Sequence, residues 1–183
     1  FHNLNLDFAT MNIDKWTKIL KKEIGVQSDY KIYEVYCETW ARILNIMIIS
    51  YLDNTHKPTK QNFLSTFQEL IAQEQQFSMI QCNKIYKRMQ IKNTYKENTY
   101  RENTNAICYY VFTAALILNY QDFLHWCDSR KKIIFVKTIK NVDSFLSLLL
   151  KKYNSLEFLE AIEYVDTLKL GKYKNSLRMT KGL

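Results

Sequence analysis

Three glycines and one proline are spread through 183 residues. Average usage would place roughly 13 Gly and 9 Pro in a chain of this length. Tight turns draw on both residues, Gly for positive φ and Pro for a preset φ. A chain that lacks them while remaining 47% hydrophobic can bury a core but is poorly equipped for the many turns of a β-sandwich or barrel. Helices need few such turns. The expected class is therefore all-α, with antiparallel helical repeats stacked as an α-solenoid or bundle.

Hydrophobic periodicity supports seven to nine helices. Trp16, Ile19, Leu20 and Ile24 share one face of a helix over 12–24, with Lys15, Lys18, Lys21 and Lys22 on the others; Gly25 stops it. Ser28 is a cap candidate for a helix over 28–53. There Ile32, Val35, Tyr36, Trp40, Ile43, Leu44, Met47, Ile48 and Tyr51 recur at spacings of three and four. So broad an apolar face implies contact with two neighbours. Asn54 to Thr59 holds the single proline and reads as a turn, with Thr59 capping a helix through Phe63, Phe67, Leu70 and Ile71. Gln73 to Gln76 weakens that pattern, and Phe77, Ile80, Ile85 and Met89 resume it less regularly.

Residues 93–102 are a tandem of near-identical pentapeptides, NTYKE then NTYRE, without amphipathic period. A polar, exposed loop over 93–104 is expected, dividing an N-terminal helical part, 1–92, from a C-terminal one, 105–183. Thr104 or Asn105 caps the next helix, apolar from Ala106 to Leu118 and ended by Asn119. A short helix over Gln121 to Cys127 follows. Ile133 to Val136 favour a strand by propensity, but with no partner strand in view a short helix is expected over 131–139. Val142, Phe145, Leu146 and Leu149 mark one more helix; Leu156, Leu159, Ile162, Val165 and Leu168 mark another; Gly171 ends the regular pattern.

Chemistry-bearing patterns are scarce. The histidines are His2, His56 and His125. His125 and Cys127 are two apart on a helix and so point away from each other, which argues against a catalytic pair. Cys37, Cys82, Cys108 and Cys127 lack the paired spacing of a zinc site and sit in apolar runs, so buried free thiols in a cytosolic or nuclear protein are expected. Glu157, Glu160 and Glu163 form an acidic stripe without the Glu-x-x-His spacing of a di-iron bundle, and read as a solvated face. No catalytic residue, cofactor or metal is expected. No apolar run approaches the roughly 20 residues that span a bilayer, so no membrane is expected as a partner. The chain opens on Phe1 without a leader pattern and is expected to be a piece of a longer protein.

A net charge of +8 points to nucleic acid or an acidic protein as partner. Lys84, Lys87, Arg88 and Lys92 cluster on one helix; Lys169, Lys172, Lys174, Arg178 and Lys181 crowd the end around Tyr173. Arg130, Lys131 and Lys132, consecutive and next to a turn, are the candidate partner-binding residues. No nucleic-acid-binding motif accompanies these clusters.

The run Asn105 to Tyr110, then Ala114 to Leu116, then Asn119 to Leu124 resembles a stretch of the PCI-domain family, in which a small-residue apolar helix meets a short acidic turn. Phe135 to Tyr153, followed by Ser155 to Phe158, resembles that family's leucine-rich helix, spacer and next helix. The resemblance implies TPR-like helices before it and a winged helix beyond Leu183. It also implies a non-catalytic scaffold subunit of a large complex, of the kind formed by the COP9 signalosome, the proteasome lid and initiation factor 3, whose partners are other subunits. A basic, helical nucleic-acid-binding domain, such as a viral one, is the alternative.

Overall fold

The computed structural model describes residues 13–56, 59–91, 101–129, 139–168, 173, 176–179 and 181. Among them there is no strand, only an isolated bridge between Gln27 and Arg101. The described residues form seven α-helices in succession: α1 (Ile13–Ile24), α2 (Ile32–Asp53), α3 (Lys60–Arg88), α4 (Thr113–Leu118), α5 (Tyr120–Ser129), α6 (Ile139–Tyr153) and α7 (Leu156–Asp166). A π-helical segment, Ile107–Phe112, runs straight into α4. The expected all-α class holds, with antiparallel packing. In the α2–α3 hairpin, Asn54 donates to Thr66 Oγ1 at the loop end while Arg42 meets Ser78 further along. Helices α5 and α6 likewise run opposite, Asp122 pairing with Lys152 and Trp126 with Ser144.

The punctuation works as its chemistry requires. Gly25 takes φ 78° and its N–H reaches Lys21 O at 2.9 Å, a left-handed end to α1 that a Cβ would strain. Thr59 caps α3, its hydroxyl accepting from Asn62 N at 3.1 Å, and Ser155 caps α7 by accepting from Phe158 N at 3.2 Å. Ser28 does not cap α2. The helix begins at Ile32, after Tyr30 has turned to φ 44°, and Lys31 makes no side-chain cap. Ser28 is buried and donates instead to Glu102 and Asn105, pinning the segment before the π-helix. Neither Thr104 nor Asn105 supplies the expected side-chain cap there. Glu102 accepts from Ile107 N at 3.1 Å, and the Asn105 carboxamide oxygen faces Ser28 and Lys31 N.

Asn93 to Tyr100, most of the expected polar loop, lies outside the described residues. So does the helix expected over 131–139, apart from Ile139, which opens α6. In the rest of the loop Arg101, Asn103 and Thr104 are exposed, while Glu102 is drawn inward by its cap. The expected weak point at Gln73 to Gln76 does not interrupt α3, which is continuous for 29 residues. Its polar side chains have inward partners instead: Glu74 is buried against Arg42, and Gln75 Nε2 donates to Leu118 O at 2.8 Å, satisfying the end of α4.

One buried cluster extends from Leu20 to Val165, so both helical parts share a core. Helix α3 forms its spine, packing on α2, the π-helix with α4, and α7. Tyr36, Phe123 and Phe145 meet edge to face with centroids 5.6 to 6.4 Å apart, and Trp40 covers Phe123 at 5.5 Å. Such aromatic pairs add about 0.5–1.5 kcal/mol each beyond area burial. Trp16 Nε1 donates to Asp143 Oδ1 at 2.6 Å and ties α1 to α6.

Candidate functional site

Helix α2 has two faces with different fates. On the inner face, Val35, Thr39, Ile43, Ile46 and Ser50 are buried. Arg42 shares that face and is only 3% exposed. A buried guanidinium must have all its charge and donors answered. Arg42 Nε meets Glu38 at 3.2 Å; Nη1 meets Glu74 Oε1 at 3.3 Å and Ser78 Oγ at 2.8 Å; Nη2 donates to the Tyr109 carbonyl at 3.2 Å.

That last bond explains the π-helix. Widening a turn to i→i+5 displaces carbonyls that need partners outside the helix. Tyr109 O receives Arg42, and Cys108 O accepts both the backbone N–H and, at 2.9 Å, the hydroxyl of Thr113. One arginine therefore fixes α2, α3 and the π-helix to one another. Glu74 also accepts from Lys181 N at 3.1 Å. Burial pushes its carboxyl above the ordinary value of 4.5, against the opposing pull of the Lys181 N–H, Arg42 and Ser78.

The outer face of α2 differs between its halves. In the first half Tyr33, Cys37 and Trp40 are partly covered by the main core. In the second, Leu44, Met47, Ile48, Tyr51 and Leu52 are between 38% and 64% exposed. They recur at helical spacing over about two and a half turns, and no residue from Ile43 to Leu52 is charged. The second half of α2 is thus apolar around most of its circumference, a pattern proper to a helix covered on both sides. Among the described residues it is covered on one. Helix α2 meets the neighbours its broad apolar face implied, packing on α3, the π-helix and α4, while the outer side of its second half stays exposed.

The residues singled out by charge are distributed differently. Arg130, Lys131 and Lys132 lie outside the described residues, as do Lys92, Lys169, Lys172 and Lys174. Lys84 faces inward, its ammonium donating to the carbonyls of Tyr173 and Ser176. Lys181 bonds Gln73 and Glu74. Lys87 pairs with Asp166 at 2.6 Å and holds that carboxyl below its usual range, while Arg88 and Arg178 are exposed. The two clusters therefore spend part of their charge on the chain's own carbonyls and carboxylates.

Cys82, Cys108 and Cys127 are buried and Cys37 is half-buried, all as free thiols. Burial raises each of them, Cys127 to about 12, so thiolate is scarce at neutral pH. His125 and the Glu157, Glu160, Glu163 stripe are exposed, the latter as the solvated face expected. Among the described residues no group of His, Cys, Asp and Glu could hold a metal ion, and no helix is long and apolar enough to cross a membrane.

The chain matches no family model, no curated protein and no solved structure. The resemblance of residues 105–158 to PCI-domain proteins therefore rests on the sequence pattern alone.

Proposed function

We propose that this chain is a non-catalytic helical interaction module, a scaffold piece of a multisubunit assembly, and that the C-terminal half of α2 is its docking face. The observation that carries the reading is the uncovered stripe of Leu44, Met47, Ile48, Tyr51 and Leu52. Side chains of this size, about half exposed, leave on the order of 500 Å² of contiguous apolar surface, a patch size that often marks an interaction site. Two features make the stripe suited to docking. It lies on a regular helix anchored from behind by Arg42, so little ordering is required when a partner binds. It also includes Tyr51, 64% exposed, an aromatic of the kind that dominates interface energetics. Leu64, partly exposed near the start of α3, lies at the same end of the hairpin and extends the apolar surface there.

The test is affinity capture of the full chain from its source, with wild type compared with the double variant Leu44→Asp, Ile48→Asp. Subunits that contact α2 by cross-linking should be lost from the variant while its helical circular dichroism is unchanged. Retention of every protein partner by the variant would rule the docking face out. Capture of RNA instead, with an affinity that falls steeply with salt, would replace the scaffold reading by the nucleic-acid one.

A further inference from the structure

We propose that one face of α3 is a groove for a short acidic peptide, and that the segment after α7 fills it as an intramolecular competitor. Gln73, Phe77, Gln81 and Lys84 follow one another at spacings of four, four and three, so they form a single stripe of α3, with Glu74 beside it. The segment runs opposite to the helix. Tyr173 sets its ring edge-on to Phe77 at 5.4 Å. The Lys84 ammonium donates to the Tyr173 carbonyl and, at 2.7 Å, to the Ser176 carbonyl. Toward the start of the stripe, Lys181 N donates to Glu74 Oε2 at 3.1 Å, and the Lys181 ammonium donates to Gln73 Oε1.

Three features mark the segment as displaceable. Three of these four hydrogen bonds go to its main chain, which any peptide carries. Leu177 is 48% exposed and Arg178 is exposed, so these two side chains add little burial between the attachment points. The segment also leaves the groove incompletely answered. Gln81 is fully buried, and its Oε1 accepts from Lys84 Nζ at 3.3 Å. An ammonium only donates, so the carboxamide oxygen must face it, and Gln81 Nε2 is left buried without a hydrogen-bond partner. A buried donor without an acceptor is costly.

That unanswered donor sets the chemistry of a better ligand. Nε2 shares its carboxamide with the oxygen that meets Lys84, so one carboxylate placed there accepts from both the ammonium and the amide. The resident segment supplies none: Tyr173 to Lys181 holds Lys174, Arg178 and Lys181 and no acid. The partner is therefore a peptide with an aromatic residue for Phe77, closely followed by Asp or Glu for Lys84 and Gln81, and then a main-chain N–H for Glu74. Its negative charge suits a chain of net charge +8. The resident segment competes through its tether, which gives it an effective concentration of order millimolar. This groove shares no residue with the outer face of α2.

Fluorescence anisotropy with the full chain tests this, at physiological ionic strength so that non-specific attraction to the positive chain is screened. The probes are labelled peptides of the sequence Tyr173 to Lys181, unmodified or carrying Lys174→Glu or Asn175→Asp. Tyr173→Ala in the chain weakens the competitor and leaves the groove intact, so the peptides should bind that variant about tenfold tighter than wild type. On the same variant, one of the acidic peptides should bind about tenfold tighter than the unmodified one. Adding Gln81→Leu, with circular dichroism unchanged, should abolish that preference, and adding Lys84→Met should weaken all three peptides. Leu44→Asp, Ile48→Asp should alter none of these affinities. In the wild-type chain, the Lys181 amide should exchange its hydrogen faster than global unfolding allows.

Absence of binding to the Tyr173→Ala chain up to about 1 mM peptide, or exchange at Lys181 only through global unfolding, would overturn the groove and its competitor. Binding indifferent to Lys84→Met, or lost with Leu44→Asp, Ile48→Asp, would place the peptides elsewhere and overturn it equally. Equal affinity for acidic and unmodified peptides, or an acid preference that survives Gln81→Leu, would overturn the chemistry assigned to the partner.

Discussion

Replacing Arg42 by Met keeps most of the side-chain volume and removes all four of its polar contacts, to Glu38, Glu74, Ser78 and the Tyr109 carbonyl. The partners differ in how they recover. The Glu38 side chain is 19% exposed and can turn toward water. The Glu74 side chain, at 7%, cannot follow it, and the Tyr109 carbonyl loses the donor that answers it in the π-helix. Removing one member of a buried pair costs about 3–5 kcal/mol, because the other is left as an uncompensated charge. For a protein of this length each kcal/mol is worth roughly 2–4 °C, so the midpoint should fall by about 6–20 °C. The assay is chemical and thermal unfolding followed by circular dichroism, with the denaturant slope checked for constancy. The double variant Arg42→Met, Glu74→Leu removes the stranded charge and should recover most of the loss. A loss below roughly 1 kcal/mol in the single variant, or a double variant that loses the sum of the two single variants, would refute the account of Arg42 as the polar hub of the core.

Glu74 also gives a pH signature. Its folded-state carboxyl sits above the ordinary value of 4.5, so between that value and the raised one the folded chain binds more proton than the unfolded. Stability should therefore fall as pH rises through this window, relative to Glu74→Gln, which lacks the step; parallel curves would contradict it. Native alkylation should label Cys37 first and leave Cys82, Cys108 and Cys127 untouched until unfolding, with mass spectrometry as the readout. Thr59→Ala and Ser155→Ala should each cost about 1 kcal/mol, whereas Ser155→Asp should be nearly neutral, as an equivalent cap would be. Phe123→Ala, at the centre of the aromatic group, should cost about 3–5 kcal/mol in the same unfolding assay.

Much of the local order was legible because it is written at short range. Spacings of three and four located α1, α2, α3, α6 and α7 to within a few residues, and Gly25, Thr59 and Asn119 ended or capped helices where their chemistry said they would. Ser28 misled because a good cap residue is equally good at holding a distant carboxylate. Its partners Glu102 and Asn105 are more than seventy positions away. Gln73 to Gln76 misled for the same reason, a buried acid and a carbonyl-capping amide being indistinguishable in sequence from a solvated polar patch. A usable signal did exist in Arg42, a charge lying on the same helical face as Val35, Thr39 and Ile46, which solvation alone does not explain.

The sequence by itself determined that the chain is helical and roughly where each helix lies, because periodicity and capping act within a few residues of one another. Tertiary structure alone decided the rest. It chose which apolar side of α2 faces the core and which is left bare, it joined Arg42 to Glu74 and Tyr109, and it stabilised a π-turn that no local preference requires. Those outcomes depend on contacts between residues far apart in the chain, and a two-sided apolar helix is equally content with either side inward until its neighbours are in place.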